Sequence, residues 1–495
     1  MRIGHLRPNP DIWLRLVNVR FGDFQKFRMK FGDPMRAGMV IVLVSRLNQA
    51  LACFLVDDVM LIGVISGAIN LKWSQMMSVS KSTIIAVVSV FSVITFGLVT
   101  AEQAPKEWSR TQPYPEHDVY YPGTEALAPD EMRVIACGTG MPTPRLKQAA
   151  GCFLVELGNG EKFIFDMGEG SYERLAALGI PLDQLDKVFL GHLHLDHAGD
   201  FPAFYFTGPV NNRLQPVRLW GPNGMKPEWG TKAWVKNMEE MWAWEKATRG
   251  SVVDPRGLVL EVNEFDWTAV NNVIFDEKGV VIRTLPAIHG EQSVSFVLEW
   301  NGLKFAFSSD TLPTTGWRDH TVGADLSVHE CFLPPEMMMS KLGMVASEAI
   351  FVGTQAHTSA QAFGKIMSLT KPRLAVCYHF QNDHDTSVAV YSEIRKTYDG
   401  PLDLAQDFMV WNVTKSDIRT RMAVPNHESF PAPPQRQKQP PDSMKILGAT
   451  FSDTTLNSVE PESAAVTNAQ IKEFNKRNGT DVKPGLTAVP FMEKQ

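Results

Sequence analysis

Between residues 130 and 420 short apolar runs recur, each followed closely by glycine, histidine or another polar residue. RVIACG (133–138), GCFLVEL (151–157), KFIFDMG (162–168) and KVFLGH (187–192) read as strands, and SYERLAALG (171–179) reads as a helix between them. VIRTLPAIHG (281–290), VSFVLEW (294–300), LKFAFSSD (303–310), LAVCYHF (374–380) and FMVWNV (408–413) continue the series. Strand-rich halves with interspersed helices predict one layered α/β or α+β body over 130–420.

The flanks follow other patterns. Ser82 to Ala101, STIIAVVSVFSVITFGLVTA, carries no charged residue. With Lys81 before it and small residues at its exit, 76–101 has the parts of a secretory signal. At roughly 20 apolar residues the run is also long enough to span a bilayer, and a buried core helix is the plainer alternative. Upstream, MVIVLVSRLNQALACFLVDDVMLIGVISGAI (39–69) is broken by Arg46, Asp57 and Asp58. Such charges cost about 2.5–3.5 kcal/mol each at the centre of a span. Residues 1–75 therefore read as an over-long start, with Met76 or Met77 the beginning, or as a membrane-associated N-terminus. Residues 421–495, which include PNHESFPAPPQRQKQPPD, predict an extended, partly disordered tail.

Composition narrows the partners more than the fold. A net charge of −6 offers no basic field to attract nucleic acid. The five cysteines (Cys53, Cys137, Cys152, Cys331, Cys377) form no CxxC pair and leave the compartment open.

Candidate chemistry concentrates in GHLHLDHAGD (191–200), at the end of the strand KVFL. On an extended chain residues two apart share a face, so His192, His194 and Asp196 can converge while His197 projects to the other side. That arrangement suits two neighbouring metal ions, and imidazole with carboxylate suits zinc, manganese or iron. A single histidine is more often structural, but four potential ligands within six positions are not readily explained that way. His289, Asp310 and His379 each end a later apolar run and could complete two coordination spheres. Taken singly, each is equally well a turn residue.

HLHLDH resembles the HxHxDH signature of the metallo-β-lactamase superfamily. The order FDMGEG (165–170), HLHLDH (192–197), His289, SSDT (308–311) and YHF (378–380) is similar to that superfamily's successive motifs. CGTGMPTPR (137–145), LSVHECF (326–332) and AHTSAQAFGKI (356–366) resemble its ribonuclease Z / arylsulfatase branch, and the layout is also similar to a subgroup labelled guanitoxin-biosynthesis hydrolases. The resemblance implies an α+β (αβ/βα) fold, a four-layer sandwich of two mixed β-sheets flanked by helices, with metals at one edge. It implies His192, His194 and His289 on a first metal, Asp196, His197 and His379 on a second, and Asp310 bridging. It further implies that Asp196, Glu330 and His357 are catalytic, the last two as a pair that protonates the leaving group, and that Asp166 orients the ligand loop. The implied cofactor is two Zn2+ per chain, with Mn2+ or Fe as alternatives.

The expected activity is hydrolysis of small sulfate or phosphate esters by a metal-bridging hydroxide, arylsulfatase-like. A tRNA 3′-processing endonuclease and a non-catalytic zinc-binding module are the alternatives. The ribonuclease Z subgroup holds RNA with a long basic arm between its third histidine and bridging aspartate. Here His289 to Asp310 leaves room only for two strands and a turn. The expected partner is thus a small-molecule ester in preference to nucleic acid, with a homodimer and membrane contact through the N-terminal apolar segment also expected. The expected location is periplasmic or secreted, or anchored to the inner membrane by residues 82–101. His357 has a second reading beside a helix start capped by Thr358 or Ser359. The segment with Trp229, Trp234, Met238, Met241, Trp242 and Trp244 reads as an amphipathic helix packed on the body or as a lid at the site mouth, with CFLPPEMMMSKLGM (331–344) as a facing wall.

Overall fold

The computed structural model describes residues 119–249, 253–290, 292–426, 428 and 460–481, with the backbone of five strands between 14 and 66. Two units divide the chain, 1–107 and 108–495. In the first, β1 (Leu14–Arg20), β2 (Asp23–Met29), β3 (Ile41–Arg46), β4 (Gln49–Val56) and β5 (Val59–Ser66) form one sheet in the order β2-β1-β3-β4-β5. The apolar stretch read as a start or membrane-associated segment thus contains three strands, separated near the charges that break it. Residues 76–101 lie outside the described residues. Among the described residues no helix is long and apolar enough to cross a membrane.

The second unit holds two large sheets. One contains β6 (Val119–Tyr120), β7 (Met132–Gly138), β8 (Cys152–Leu157), β9 (Lys162–Phe165), β10 (Lys187–Phe189), β11 (Val217–Pro222) and β12 (Leu260–Phe265), joined by β20 (Met409–Val413) and β21 (Ile418–Ala423). Its order is β12-β11-β10-β9-β8-β7-β20-β21-β6. The other runs in sequence order through β13 (Asn272–Glu277), β14 (Val280–Pro286), β15 (Val294–Trp300), β16 (Leu303–Phe307), β17 (Leu326–Glu330), β18 (Leu374–Tyr378) and β19 (Leu402–Leu404). Both sheets are mixed: β9 to β12 are mutually parallel, as are β16 to β19, and antiparallel strands complete each sheet.

Period-two alternation builds the layers. Along β7, Met132, Val134 and Ala136 face a core shared with Phe296, Phe307 and Tyr378 of the second sheet, while Ile135 and Cys137 face the opposite way. On that outer side lie Leu175, Phe201, Phe204, Val235 and Met238, from the helices Ser171–Ala177, Phe201–Thr207 and Thr231–Met241. Along β18, Leu374, Val376 and Tyr378 face inward, and Ala375 and Cys377 meet Phe363, Ile366 and Val390 of the helices Ala360–Thr370 and His384–Ile394. Strands covered on both faces read as continuous apolar runs, as these do. The result is helices, sheet, sheet, helices: the four-layer α+β sandwich. Rings seal the inner core, Phe189 stacking on Trp220 at 4.6 Å and Phe153 meeting Tyr378 edge-on at 5.1 Å.

Residues 427, 429–459 and 482–495 of the tail lie outside the described residues. β21 carries the sheet to Ala423, and Pro461–Asn478 is a helix. Glu460 caps that helix through the backbone N–H of Glu462 and Ser463, Pro461 sits at its first turn and Gly479 ends it in a left-handed conformation. These local signals override a composition that reads as disordered.

Candidate metal centre

The strand ends that carry the candidate residues come together at one edge of the two sheets. Asp166 follows β9, the histidine run follows β10, His289 follows β14, Asp310 follows β16, Glu330 ends β17 and His379 follows β18. Five of these six strands, β14 excepted, belong to the parallel parts of the sheets, whose carboxyl ends open onto a common crevice. His357 arrives separately, just before the helix Ala360–Thr370, where Ser359 is the cap and its Oγ accepts the Ala362 N–H.

Three imidazoles form one group. His194 Nδ1 lies 3.0 Å from His192 Nε2 and 3.2 Å from His289 Nε2. Four buried groups form a second. His197 Nε2 is 3.4 Å from Asp196 Oδ2 and 3.2 Å from Asp310 Oδ1, and His379 Nε2 is 3.2 and 3.3 Å from the same two oxygens. The other oxygen of Asp310, Oδ2, turns to the first group, 3.6 Å from His289 Nε2 and 4.0 Å from His192 Nε2. In each group the candidate ligand atoms all lie within 4.8 Å of one another. The residues fit a pair of cations on their own chemistry: neutral nitrogen lone pairs are aimed at one another, and the buried His197 Nε2 and Asp310 Oδ1 face each other with no hydrogen-bond partner.

Outer contacts orient these atoms. His197 Nδ1 lies 2.7 Å from Asp166 Oδ2, and Asp166 Oδ1 accepts the Gly191 N–H at 2.7 Å. His289 Nδ1 donates to the Ala356 carbonyl at 2.9 Å. These bonds place the protons on the Nδ1 atoms and leave Nε2 bare for a cation. Asp166, Ser309 and His379 all hold left-handed backbone, with φ of 58°, 47° and 70°. Three non-glycine residues in that region at one site indicate local strain retained for geometry.

Electrostatics separates the two groups. Burial lowers the pKa of His192 and, less strongly, of His194 and His289, favouring the neutral imidazole that binds metal. Burial acts the same way on His197, but the carboxylates of Asp310, Asp196 and Asp166 outweigh it and raise its pKa. Asp196 and Asp310 are buried too, yet the neighbouring histidines hold both below the usual carboxylate range.

Beside the cluster, His357 Nδ1 is 3.0 Å from Glu330 Oε2 and 3.7 Å from Asp310 Oδ2. Its ring centroid lies 4.7 Å from that of His289 and 5.2 Å from that of His379, so it borders both groups. Phe332 stacks on it at 4.3 Å, and Glu330 Oε1 accepts the Thr311 N–H. Burial, reinforced by Asp310, raises the Glu330 pKa, and burial lowers that of His357. His329 is not exposed to the site: it donates from Nδ1 to the Glu330 carbonyl, and burial lowers its pKa to about 4.

The open side of the site is apolar. His194 is exposed, and its neighbour Leu195 and the neighbour of His289, Ile288, are 69% and 54% exposed. The tryptophan segment is an amphipathic helix that buries Val235 and Met238, with Trp234 against Phe201 and Trp242 against Phe206. Trp229, Trp242 and Trp244 stay exposed, and Gln292 ties Trp229 to the loop after His289 through the Trp229 carbonyl. The packed reading therefore holds for the helix, and the backbone at Trp229 is tied to the loop after His289. A cavity of about 470 Å³ lies along Met141, Arg145, Gln148, Glu169 and Gly170. Sequence reasoning missed the orienting groups Ser309, Gly191 and the Ala356 carbonyl, because hydroxyl, glycine and backbone carry no ligand signature. The only local hint was the paired serine before Asp310.

Residues 149–336 match the model described as metallo-beta-lactamase superfamily. The chain carries a metallo-β-lactamase superfamily domain. It is a metal-dependent hydrolase of ester bonds. A ribonuclease Z of Mycolicibacterium gilvum is 28% identical to this metallo-β-lactamase domain protein over 247 residues, 48% of this chain and 83% of the relative. A ribonuclease Z of Mycobacterium bovis is 29% identical over 203 residues, 40% of this chain and 69% of the relative. The crystal structure of human tRNase Z, short form, is 22% identical, covers 56% of this chain and 98% of that chain, and has a TM-score of 0.41. The two mycobacterial ribonuclease Z relatives correct the expectation that weighed against nucleic acid as a partner. Net charge measures the average field of the whole chain, and a local phosphate-binding surface does not depend on it.

Proposed function

We propose that this protein hydrolyses phosphodiesters with a zinc pair held by His192, His194 and His289 on one side, Asp196, His197 and His379 on the other, and Asp310 between them. The observation that carries this reading is the placement of Asp310, one oxygen toward each group. Two divalent cations there would activate water and neutralise charge developing on a phosphoryl oxygen, worth several kcal/mol. The chain itself handles the leaving group. Glu330 holds His357 through Nδ1 and offsets the charge of the doubly protonated ring, whose Nε2 can then give its proton to the departing alkoxide and leave a neutral imidazole. General acid catalysis of this kind contributes about 10²–10⁴-fold. The burial of six of the seven ligand residues keeps the reacting side away from bulk water and strengthens each charge interaction.

The ribonuclease Z relatives favour an RNA phosphodiester as substrate. A second reading, a small aryl phosphate or sulfate ester, is favoured by exposed Leu195 and Ile288 beside the cluster and by the tight β15–β16 hairpin between His289 and Asp310. A panel of precursor tRNA, bis(p-nitrophenyl) phosphate and p-nitrophenyl sulfate, with metal content measured in parallel, tests both readings. No turnover of any phosphodiester by protein carrying two equivalents of zinc removes the proposal. As part of the same reading, the uncharged run within 76–101 marks the protein for export to the periplasm or medium. N-terminal sequencing of the native protein tests that, and an intact segment on soluble protein from the cell interior rules it out.

A further inference from the structure

We infer that Ser309 is a positioning residue that couples the two halves of the metal centre through Asp166; this rests on the ligand scheme proposed above. Three observations on the backbone and side chain converge. Ser309 is completely buried and lies between β16 and Asp310 with φ of 47°, a conformation that costs a non-glycine residue on the order of 1–2 kcal/mol. Its hydroxyl is 2.8 Å from Asp166 Oδ2 and 3.2 Å from His192 Nδ1. Gly191, immediately before His192, has no room for a side chain, because a Cβ there would stand 2.3 Å from Ser309 Oγ. The chain thus accepts strain at 309 and gives up a side chain at 191, and both leave a hydroxyl between a carboxylate and an imidazole.

Counting protons fixes the direction of the chain. A serine hydroxyl has one proton and two lone pairs. The Asp166 carboxylate only accepts, so Ser309 donates to it and accepts the proton on His192 Nδ1. His192 Nε2 is then bare and faces His194 and His289. The same Asp166 oxygen receives His197 Nδ1 directly, which bares His197 Nε2 for the other half. One buried carboxylate therefore sets the tautomer of a ligand in each group, directly for His197 and through Ser309 for His192. Without the hydroxyl, His192 can carry its proton on either nitrogen, and half its function as a ligand is no longer set by the fold.

Two variants separate the hydroxyl from the backbone. Ser309→Ala keeps the Cβ and removes the hydroxyl, and Ser309→Gly also relieves the left-handed strain. Titration of metal-free protein with Zn2+ by calorimetry, and with Co2+ by visible absorption, reads each site without substrate. In both variants the two-site isotherm is expected to split, one site weakening about 10–100-fold, the usual effect of losing such an outer partner, while the other is retained. The thermal midpoint of metal-free Ser309→Gly is expected to equal or exceed that of the parent. Wild-type affinity at both sites in both variants would overturn the inference. Failure of the parent protein to bind two equivalents would instead overturn the ligand scheme, so the two failures are told apart.

Discussion

The trio His192, His194 and His289 and the quartet Asp196, His197, Asp310 and His379 lie side by side but solve different problems. The trio is all imidazole, and one member, His194, reaches solvent. Burial keeps it neutral, so it stands ready for a cation without first losing protons. The quartet is wholly buried and holds two carboxylates. In the absence of a cation it neutralises itself by raising the pKa of His197. Metal entry there must displace a proton, whereas entry at the trio need not. Two sites a few ångströms apart can thus differ in access and in pH dependence while sharing one bridging residue.

Breaking the bridge should have the largest effect. Asp310→Ala leaves buried histidines without their shared carboxylate, a loss of about 3–5 kcal/mol by analogy with broken buried pairs. Turnover should fall by about 10³-fold, the upper end for losing one group that stabilises developing charge, and elemental analysis should find fewer than two equivalents of metal. Retention of two equivalents with full activity would refute the bridging role.

His357→Ala should come next, and its effect should depend on the leaving group. With an alkoxide leaving group that needs a proton, kcat should fall by about 10²-fold, the lower end of what general acid catalysis contributes. With p-nitrophenolate, a stable anion, the loss should be much smaller. An equal loss on both substrates would make His357 a structural or ligand residue, without a role in proton delivery.

A subtler test uses the stability of metal-free protein against pH. His192, His194 and His289 have depressed pKa values in the folded state, so their contribution is present above the reference value of about 6.5 and is lost as pH falls through the folded values. His197 has a raised value, so its contribution is complete below about 6.5 and is lost as pH rises through the folded value. Chelator-treated protein should therefore lose thermal stability on both sides of that region. His192→Asn should flatten the acid limb and His197→Asn the alkaline limb. Identical profiles for the two variants would erase the contrast between trio and quartet.

The smallest expected effect concerns the open side of the trio. Leu195→Ser should raise KM for an aryl phosphodiester a few-fold and leave kcat nearly unchanged, since an exposed apolar contact contributes uniform binding. An equal change for a methyl phosphodiester would show that Leu195 contacts no aryl group.

How much of this was legible beforehand differs by residue. His192, His194, Asp196 and His197 announce themselves because four potential ligands stand within six positions. His289, Asp310 and His379 were readable only as polar residues closing apolar runs. Glu330 and His357 needed a resemblance to whole motifs, because a glutamate at a strand end and a histidine before a helix are ordinary. Within the tail, read as extended and partly disordered, an N-cap, an early proline and a terminal glycine write a helix over 461–478 that composition alone did not suggest. The packed reading of the tryptophan segment held because Val235 and Met238 repeat at helical spacing and reach the core.

By itself the amino-acid sequence determined the layered strands and helices and the contiguous ligand run, since both follow from periodicities of two and near four along one stretch of chain. Only the tertiary structure decided which nitrogen of each histidine faces inward, that Asp310 offers one oxygen to each group, and that Ser309 links His192 to Asp166. Those facts join residues on separate strand ends, 117 positions apart for His192 and Ser309, and no local pattern encodes a distance across two sheets.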